Sequence, residues 1–134
     1  MTAVFADTTF YVAVLNPRDS LHSAASNWAA QVRRNTVTTE FVLLETANFF
    51  KLPADRRRFA DLVEHLTADA TTTIIPCDAE LFRRGMRLYR ERADKEWSLT
   101  DCISFVVMDD RGIADALTAD RHFQQAGYAA LLLA

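Results

Sequence analysis

The sequence predicts an α/β fold in which a parallel five-stranded sheet has helices on both faces. Short apolar or β-branched runs alternate with longer segments of helical periodicity, which is the pattern of strand–helix–strand crossovers. Half of the 134 residues are hydrophobic and a quarter are charged, the usual balance of a globular domain with its own core. No linker, repeat or low-complexity segment divides the chain, so we expect a single domain over residues 1–134 with right-handed crossovers.

Strand and helix signals alternate through the first half of the chain. Small and aromatic side chains recur at helical spacing, which predicts a helix with Ala25, Trp28, Ala29 and Val32 on one face. Pro53 is expected to end the helix that follows the second strand. In order, the predicted elements are a strand at residues 3–6, helices at residues 8–15 and 22–34, a strand at residues 36–39 and a helix over about residues 40–51.

The second half continues the alternation and contains two helices of different character. The first is amphipathic, with Phe82, Gly85, Met86 and Tyr89 on one face. The second is apolar on nearly all sides and is therefore predicted to be buried. In order, the predicted elements are a helix at residues 55–66, a strand at residues 72–75, helices at residues 79–92 and about 99–110, a strand at residues 114–118, a helix at residues 121–125 and a strand at residues 129–133.

Composition restricts the compartment and the class of partner. The net charge of −3 lacks the basic excess of a non-specific nucleic-acid-binding protein. Cys77 and Cys102 are isolated in the sequence, which favours reduced thiols in a cytoplasmic protein. The first residues do not form a secretory leader, and no apolar stretch approaches the roughly 20 residues of a membrane span. We therefore expect a cytoplasmic protein without a membrane segment.

Four acidic residues are expected at one edge of the sheet. Asp7 follows the first predicted strand and Asp120 follows the fourth. Glu45 and Asp101 lie near the starts of helices that could open at the same edge. Ligands of doubly wound sheets bind beyond the carboxyl ends of the strands, at the point where the strand order reverses. The four acids are therefore the candidate site residues.

Each acid also has a structural interpretation. Asp7 and Asp120 precede helices and could serve as N-caps, and the Ser98-x-x-Asp101 spacing is close to a capping box. Glu45 is different, because Phe41 and Phe49 flank it at four residues on either side and place it on an apolar stripe. A carboxylate that faces a core is costly unless it is paired or ligated. An exposed Glu45 is the alternative if the stripe faces solvent.

Convergence of all four acids would indicate a cation site. Carboxylates that lie close together raise one another's pKa values unless cations neutralise them. An oxygen-only set of ligands selects Mg²⁺ or Mn²⁺ over zinc. Hydroxyl groups that could orient the carboxylates, or equally cap helices, flank the acids at Thr8, Ser98, Thr100 and Thr118.

The arrangement of the acids resembles that of the PIN-domain nucleases, in particular the VapC-type toxins of prokaryotic toxin–antitoxin pairs. The resemblance extends over essentially the whole chain. Its most specific parts are DKEWSLTDCISFVVM at residues 94–108 and ALTADRHFQQAG at residues 116–127. It implies a three-layer α/β/α sandwich around a parallel five-stranded sheet and metal-dependent endoribonuclease activity. It also implies an RNA substrate, a homodimer and a cognate antitoxin protein that sends a peptide into the acidic groove.

The resemblance assigns the same four acids, Asp7, Glu45, Asp101 and Asp120, as catalytic residues and ligands of Mg²⁺ or Mn²⁺. We expect Asp7 and Asp101 to be the main ligands, Glu45 to be a ligand or to position the attacking water, and Asp120 to complete the site. Thr8 and Thr118 match hydroxyl positions that accompany the acids in the family. Either one or two ions would fit, and the expected products are a 3′-hydroxyl and a 5′-phosphate.

The sequence is also compatible with other functions, and it contains further residues that could contact RNA or a partner. A PIN nuclease of other RNA processing, without an antitoxin, and a catalytically idle PIN binding module are the alternatives. A signalling receiver domain would need paired acids after the first strand, where Asp7 stands alone. His122 is expected to be a local hydrogen-bonding residue. The arginines of the runs Arg56–Arg58 and Arg83, Arg87 and Arg90 could contact RNA phosphates or a partner, or form solvated helix faces.

Overall fold

The computed structural model describes residues 2–31 and 33–133. Five strands are present in this part of the chain: β1 (Val4–Ala6), β2 (Thr36–Thr39), β3 (Thr72–Ile75), β4 (Asp115–Leu117) and β5 (Ala129–Ala130). The helices described between them are α1 (Thr8–Leu15), α2 (His22–Gln31), α3 (Glu40–Ala47), α4 (Pro53–Ala68), α5 (Ala79–Glu91), α6 (Leu99–Arg111) and α7 (Arg121–Gln125).

The strands form one parallel sheet in the order β3-β2-β1-β4-β5. Strand β1 is central and pairs with two neighbours, so that Phe5 lies opposite Val37 of β2 and Ala116 of β4. The order reverses between β1 and β4, because the chain crosses from one edge of the sheet to the other side of β1. The predicted α/β/α fold class is confirmed, and its switch point lies at the carboxyl ends of β1 and β4.

Helix α6 is buried as its all-round apolar sequence predicts. Phe105 stands at its centre and makes edge-on contacts with Trp97 and Phe123, with ring centroids 5.1 and 4.9 Å apart. Helix α5 packs against α6 at Gly85, where a β-carbon would lie 2.3 Å from Cγ1 of Ile103. The close approach of these helices therefore depends on the absence of a side chain at position 85. Gly112 then ends α6 in the left-handed conformation, with a φ angle of 64°.

Several predicted boundaries are wrong. The helix expected over residues 40–51 ends at Ala47, and Pro53 is the first residue of the next helix, where its missing N–H is harmless. The last strand contains Ala129 and Ala130 only. The described part of the helix predicted at residues 22–34 ends at Gln31, and the expected position of Val32 on its face lies outside the described residues.

The predicted apolar face of α5 is also only partly buried. Leu81 and Gly85 face the core, whereas Phe82 and Tyr89 are 45% and 48% exposed. The helix has therefore turned its Leu81 side, rather than its Phe82 side, toward α6. Across residues 2–31 and 33–133, no helix has the length and apolar character needed to cross a membrane.

Candidate metal centre

Asp7 leaves β1 at the switch point and occupies the N-cap position of α1. Its side chain nevertheless makes no capping hydrogen bond. The hydroxyl of Thr118, which follows β4, donates to Oδ2 of Asp7 at 2.8 Å, and the hydroxyl of Thr9 lies 3.3 Å from the same oxygen. Asp7 is 2% exposed. The N-cap interpretation is therefore wrong for this carboxylate, which is buried and held from the neighbouring strand.

Burial raises the pKa of Asp7 from 3.8 to about 7. The negative charges of Asp101 and Glu45 raise this pKa further, while the Thr118 hydrogen bond opposes the change. The charges of Asp101 and Glu45 therefore act on the Asp7 carboxyl group. Without a cation, the Asp7 carboxyl group is protonated in a large fraction of molecules at neutral pH.

Asp101 lies in the first turn of α6 and belongs to a complete capping box. Its backbone N–H donates to Oγ of Ser98 at 3.0 Å, and its Oδ2 accepts from the Ser98 N–H at 3.1 Å. The capping interpretation is thus correct for Asp101. The residue is nonetheless buried, and desolvation together with the charge of Asp120 raises its pKa above the usual value.

Asp120 caps α7, since its Oδ1 accepts from the backbone N–H of His122 at 2.8 Å. The ring of His122 turns back toward the acids, with Nδ1 3.1 Å from Oδ2 of Asp101 and 3.3 Å from Oδ1 of Asp120. Asp101, Asp120 and His122 each present a potential ligand atom within 4.8 Å of the others. Sequence reasoning assigned His122 only a local hydrogen bond and did not include it among the ligands.

Glu45 lies in the second turn of α3 and is only half-buried. The predicted apolar stripe around Glu45 is absent from this part of the described structure, because Phe49 lies beyond the end of α3 and is 62% exposed. Its neighbour Leu44 is 61% exposed. The charge of Glu45 acts on Asp7, but Glu45 is not buried against aromatic side chains and is not part of the group formed by Asp101, Asp120 and His122.

Hydroxyl groups connect the switch-point strands around Asp7. Thr118 accepts from the N–H of Asp120 at 3.0 Å while it donates to Asp7. Thr9 accepts from the N–H of Ala119 at 3.0 Å and lies 3.1 Å from the Thr118 hydroxyl. Thr9, and not the expected Thr8, therefore supports Asp7. The Thr8 hydroxyl is buried beside Asp7, with no hydrogen-bond partner in the described structure.

The donor set fits a divalent cation. Asp101, Asp120 and His122 supply two carboxylates and an imidazole nitrogen within 4.8 Å of one another. The buried carboxylate of Asp7 is not part of this group of three, but the charge of Asp101 contributes to its raised pKa. A cation would remove the repulsion and desolvation that now raise the pKa values of Asp7 and Asp101. Oxygen ligands of this kind favour Mg²⁺ or Mn²⁺.

Nearly the whole chain is similar to known proteins. The family model for the PIN domain matches residues 4–128. The sequence is 28% identical over 135 aligned residues to the 23S rRNA-specific endonuclease VapC20 of Mycobacterium tuberculosis, covering 93% of this chain and 95% of the relative.

Two solved structures are similar to the fold described above. The crystal structure of Mycobacterium tuberculosis VapC20, a sarcin-ricin loop cleaving toxin, gives a TM-score of 0.84 at 25% identity, with 94% of this chain and 96% of that chain covered. FitAcB from Neisseria gonorrhoeae gives a TM-score of 0.62 at 17% identity, with 97% and 95% covered, a likeness that concerns the fold.

Proposed function

Because the chain belongs to the PIN domain family, we propose that it is a metal-dependent endoribonuclease that hydrolyses phosphodiester bonds of RNA. The observation that carries this proposal is Asp7. It is a buried carboxylate at the switch point that caps no helix, and burial raises its pKa to about 7. A buried carboxylate without a partner lowers the stability of the fold, and a bound cation would compensate this loss.

The four acids have different proposed roles. Asp7 and Asp101 are the main ligands, Asp120 completes the set, and Glu45 either binds the ion or orients the attacking water. Thr118 and Thr9 hold Oδ2 of Asp7, and the Ser98 N–H holds Oδ2 of Asp101, so that both carboxylates are oriented before substrate arrives. A Mg²⁺ or Mn²⁺ ion held by these carboxylates would lower the pKa of a water molecule and would neutralise charge on the phosphate.

The substrate that we propose is structured RNA of the ribosome. The support is the similarity to the 23S rRNA-specific endonuclease VapC20, which extends over more than nine-tenths of both chains. We further propose that the chain is the toxin of a type II toxin–antitoxin system. The exposed apolar side chains of Leu44, Phe49 and Leu52, each more than 60% exposed, would suit contact with an antitoxin protein.

The nuclease proposal is tested with Asp7→Asn and Asp101→Asn in an RNase assay containing Mg²⁺ or Mn²⁺ and ribosomal RNA. We expect each variant to lose at least about a hundredfold in rate, since an amide is a poor replacement for a charged ligand. EDTA should abolish wild-type cleavage. Undiminished activity in either variant, or activity that survives EDTA, contradicts the proposal.

The expected chemistry has its own test. Hydrolysis by an activated water does not use the ribose 2′-hydroxyl, so an RNA with one 2′-deoxynucleotide at the cleaved bond should still be cut. The fragments should carry a 5′-phosphate and a 3′-hydroxyl. A cyclic 2′,3′-phosphate end would contradict this mechanism.

Partner and assembly are tested separately. Toxicity on expression that is relieved by co-expression of a small neighbouring open reading frame would support the toxin–antitoxin proposal. A nuclease that is active but not toxic would point to other RNA processing, and a folded but inactive chain to a binding module. We propose a homodimer from the family resemblance, and light scattering of the purified chain measures it.

A further inference from the structure

His122 lies beside Asp101 and Asp120 but is not one of the four acids of the proposed site. It is the second residue of α7, and its ring nitrogen Nδ1 faces two of the proposed ligands. The Nδ1 atom is 3.1 Å from Oδ2 of Asp101 and 3.3 Å from Oδ1 of Asp120. All three side chains present their ligand atoms within a sphere small enough for one ion.

These separations match the edge of a coordination octahedron. Two ligand atoms at right angles, each roughly 2.1 Å from an ion, are about 3 Å apart. All three ligand atoms lie within 4.8 Å of one another, so that the nitrogen and the two oxygens could bind one cation after movements of the side chains. The imidazole changes the chemical character of the set, because nitrogen ligands favour the later first-row metals over Mg²⁺.

The same distances are also those of hydrogen bonds, so the ring has a second possible role as a donor that orients Asp101. Both carboxylates, however, are oriented without it. Oδ2 of Asp101 accepts from the N–H of Ser98, and Oδ1 of Asp120 accepts from the backbone N–H of His122 itself. The ring is therefore not the only group that positions either acid, and as a ligand it would add a nitrogen atom to a set of oxygens.

We propose that His122 is a nitrogen ligand of the bound cation and that it makes the site prefer Mn²⁺ to Mg²⁺. The inference rests on the proposed function only in taking the acidic cluster as the cation site. Substitution of His122 should therefore lower the preference for Mn²⁺ over Mg²⁺ while the chain remains folded.

The test uses the full chain, freed of metal, with Mn²⁺ and Mg²⁺ titrated separately by calorimetry. His122→Asn keeps an N–H donor near Asp101 but offers a poor ligand, and His122→Ala removes both. We expect each variant to lose about tenfold or more in Mn²⁺ affinity and less than about threefold in Mg²⁺ affinity. His65→Asn, in an exposed residue of α4, is the matched control and should change neither affinity.

Pulsed electron paramagnetic resonance of bound Mn²⁺ gives an independent measurement. The wild-type chain should show the coupling of a directly bound ¹⁴N nucleus, and incorporation of ¹⁵N-labelled histidine should replace it with a ¹⁵N coupling. His122→Asn should show neither. A wild-type spectrum without nitrogen coupling overturns the inference even if the variants fail to fold, as does a His122→Asn variant with unchanged Mn²⁺ affinity.

The outcomes separate this inference from the nuclease proposal. A chain that cleaves RNA with metal but shows no nitrogen coupling contradicts the role of His122 alone. A chain that shows the coupling but cleaves no RNA contradicts the nuclease and leaves His122 as a ligand.

Discussion

Asp7 and the pair Asp101 and Asp120 are acids of the proposed site, but they have different roles in the fold. Asp101 closes a capping box on α6 and Asp120 caps α7, so both stabilise helix ends. Asp7 sits at a helix start and caps nothing. Two of the acids would therefore have a structural reason to be present even in a protein that never bound a cation, and Asp7 would not.

This difference makes Asp7 the most informative residue of the site. A capping carboxylate is stabilised by backbone N–H groups, whereas Asp7 receives hydroxyl hydrogen bonds and remains desolvated. Its ionised form lowers the stability of the metal-free fold. Substitutions that remove the charge and keep the shape of the side chain test whether Asp7 destabilises the metal-free fold while Asp101 and Asp120 stabilise helix ends.

The largest effect is expected for Asp7→Asn. The pKa of Asp7 is about 7 in the folded chain against 3.8 for the ordinary side chain, a difference worth roughly 4 kcal/mol. Between these pH values the folded state binds more protons than the unfolded state, so the free energy of unfolding falls as pH rises from about 4 to about 7. Above pH 7 the whole cost is present. Asp7→Asn removes it, and urea unfolding in EDTA at pH 8 should show a more stable variant.

Two controls accompany this measurement. Asp61→Asn changes an exposed acid of α4 and should leave the pH dependence unaltered. Added Mn²⁺ or Mg²⁺ should stabilise the wild-type chain at pH 8 and have little effect on Asp7→Asn. An Asp7→Asn variant that is less stable than wild type in EDTA at pH 8 would show that the carboxylate stabilises the fold, which contradicts the prediction.

The next effect concerns the hydroxyl that joins the two halves of the site. Thr118 is fully buried, donates to Asp7 and accepts from the N–H of Asp120. Thr118→Val keeps the shape and leaves both groups without that partner, which should cost about 2 kcal/mol of unfolding free energy. Cleavage should fall about tenfold, because Asp7 is no longer oriented.

A matched substitution separates the two consequences. Thr46 is equally buried, but its hydroxyl donates to the Val42 carbonyl of its own helix. Thr46→Val should change stability and leave cleavage near the wild-type rate. Equal losses of activity in the two valine variants would mean that Thr118 acts only through general stability.

The sequence was sufficient for those parts of the site that depend on local signals. The parallel sheet with helical crossovers follows from the alternation of elements. Asp7 directly follows β1, and Asp120 lies three residues after the end of β4, so their positions near strand ends were predictable. The capping box was visible as Ser98-x-x-Asp101 and is present in the structure. Such features depend on neighbours within a few residues, which a single sequence displays.

Contacts between distant segments were not predictable in the same way. Thr9 supports the β4–α7 segment through a hydrogen bond from the N–H of Ala119, 110 positions along the chain. The position of the His122 ring beside Asp101 depends on how α7 packs against α6. The predicted position of Glu45 on an apolar stripe required α3 to continue to Phe49, but the helix ends at Ala47.

A smaller effect on stability is expected for Asp120. Asparagine caps helices about as well as aspartate, so Asp120→Asn should change the free energy of unfolding in EDTA by less than about 0.5 kcal/mol. Asp120→Ala removes the acceptor of the His122 N–H and should cost about 1 kcal/mol. Both variants lose the charge, and both should bind Mn²⁺ more weakly in calorimetry. Unchanged Mn²⁺ affinity in Asp120→Asn would mean that Asp120 is a helix cap and not a ligand of the ion.

The smallest effect on stability is expected for Glu45→Gln. Glu45 is half-buried, and none of the described residues forms a hydrogen bond or ion pair with its side chain. Removing its charge also relieves part of the repulsion on Asp7, so the unfolding free energy in EDTA should stay within about 0.5 kcal/mol of wild type or rise slightly.

Cleavage should nevertheless fall at least about tenfold in Glu45→Gln if this acid binds the ion or orients the water. Glu64→Gln, in an exposed residue of α4, provides the control for loss of one negative charge. Glu45 would then contribute to cleavage and have little effect on stability. Asp7 would also contribute to cleavage, but its ionised form destabilises the metal-free fold. A Glu45→Gln variant that cleaves at the wild-type rate would restrict the working site to Asp7 and the α6–α7 acids.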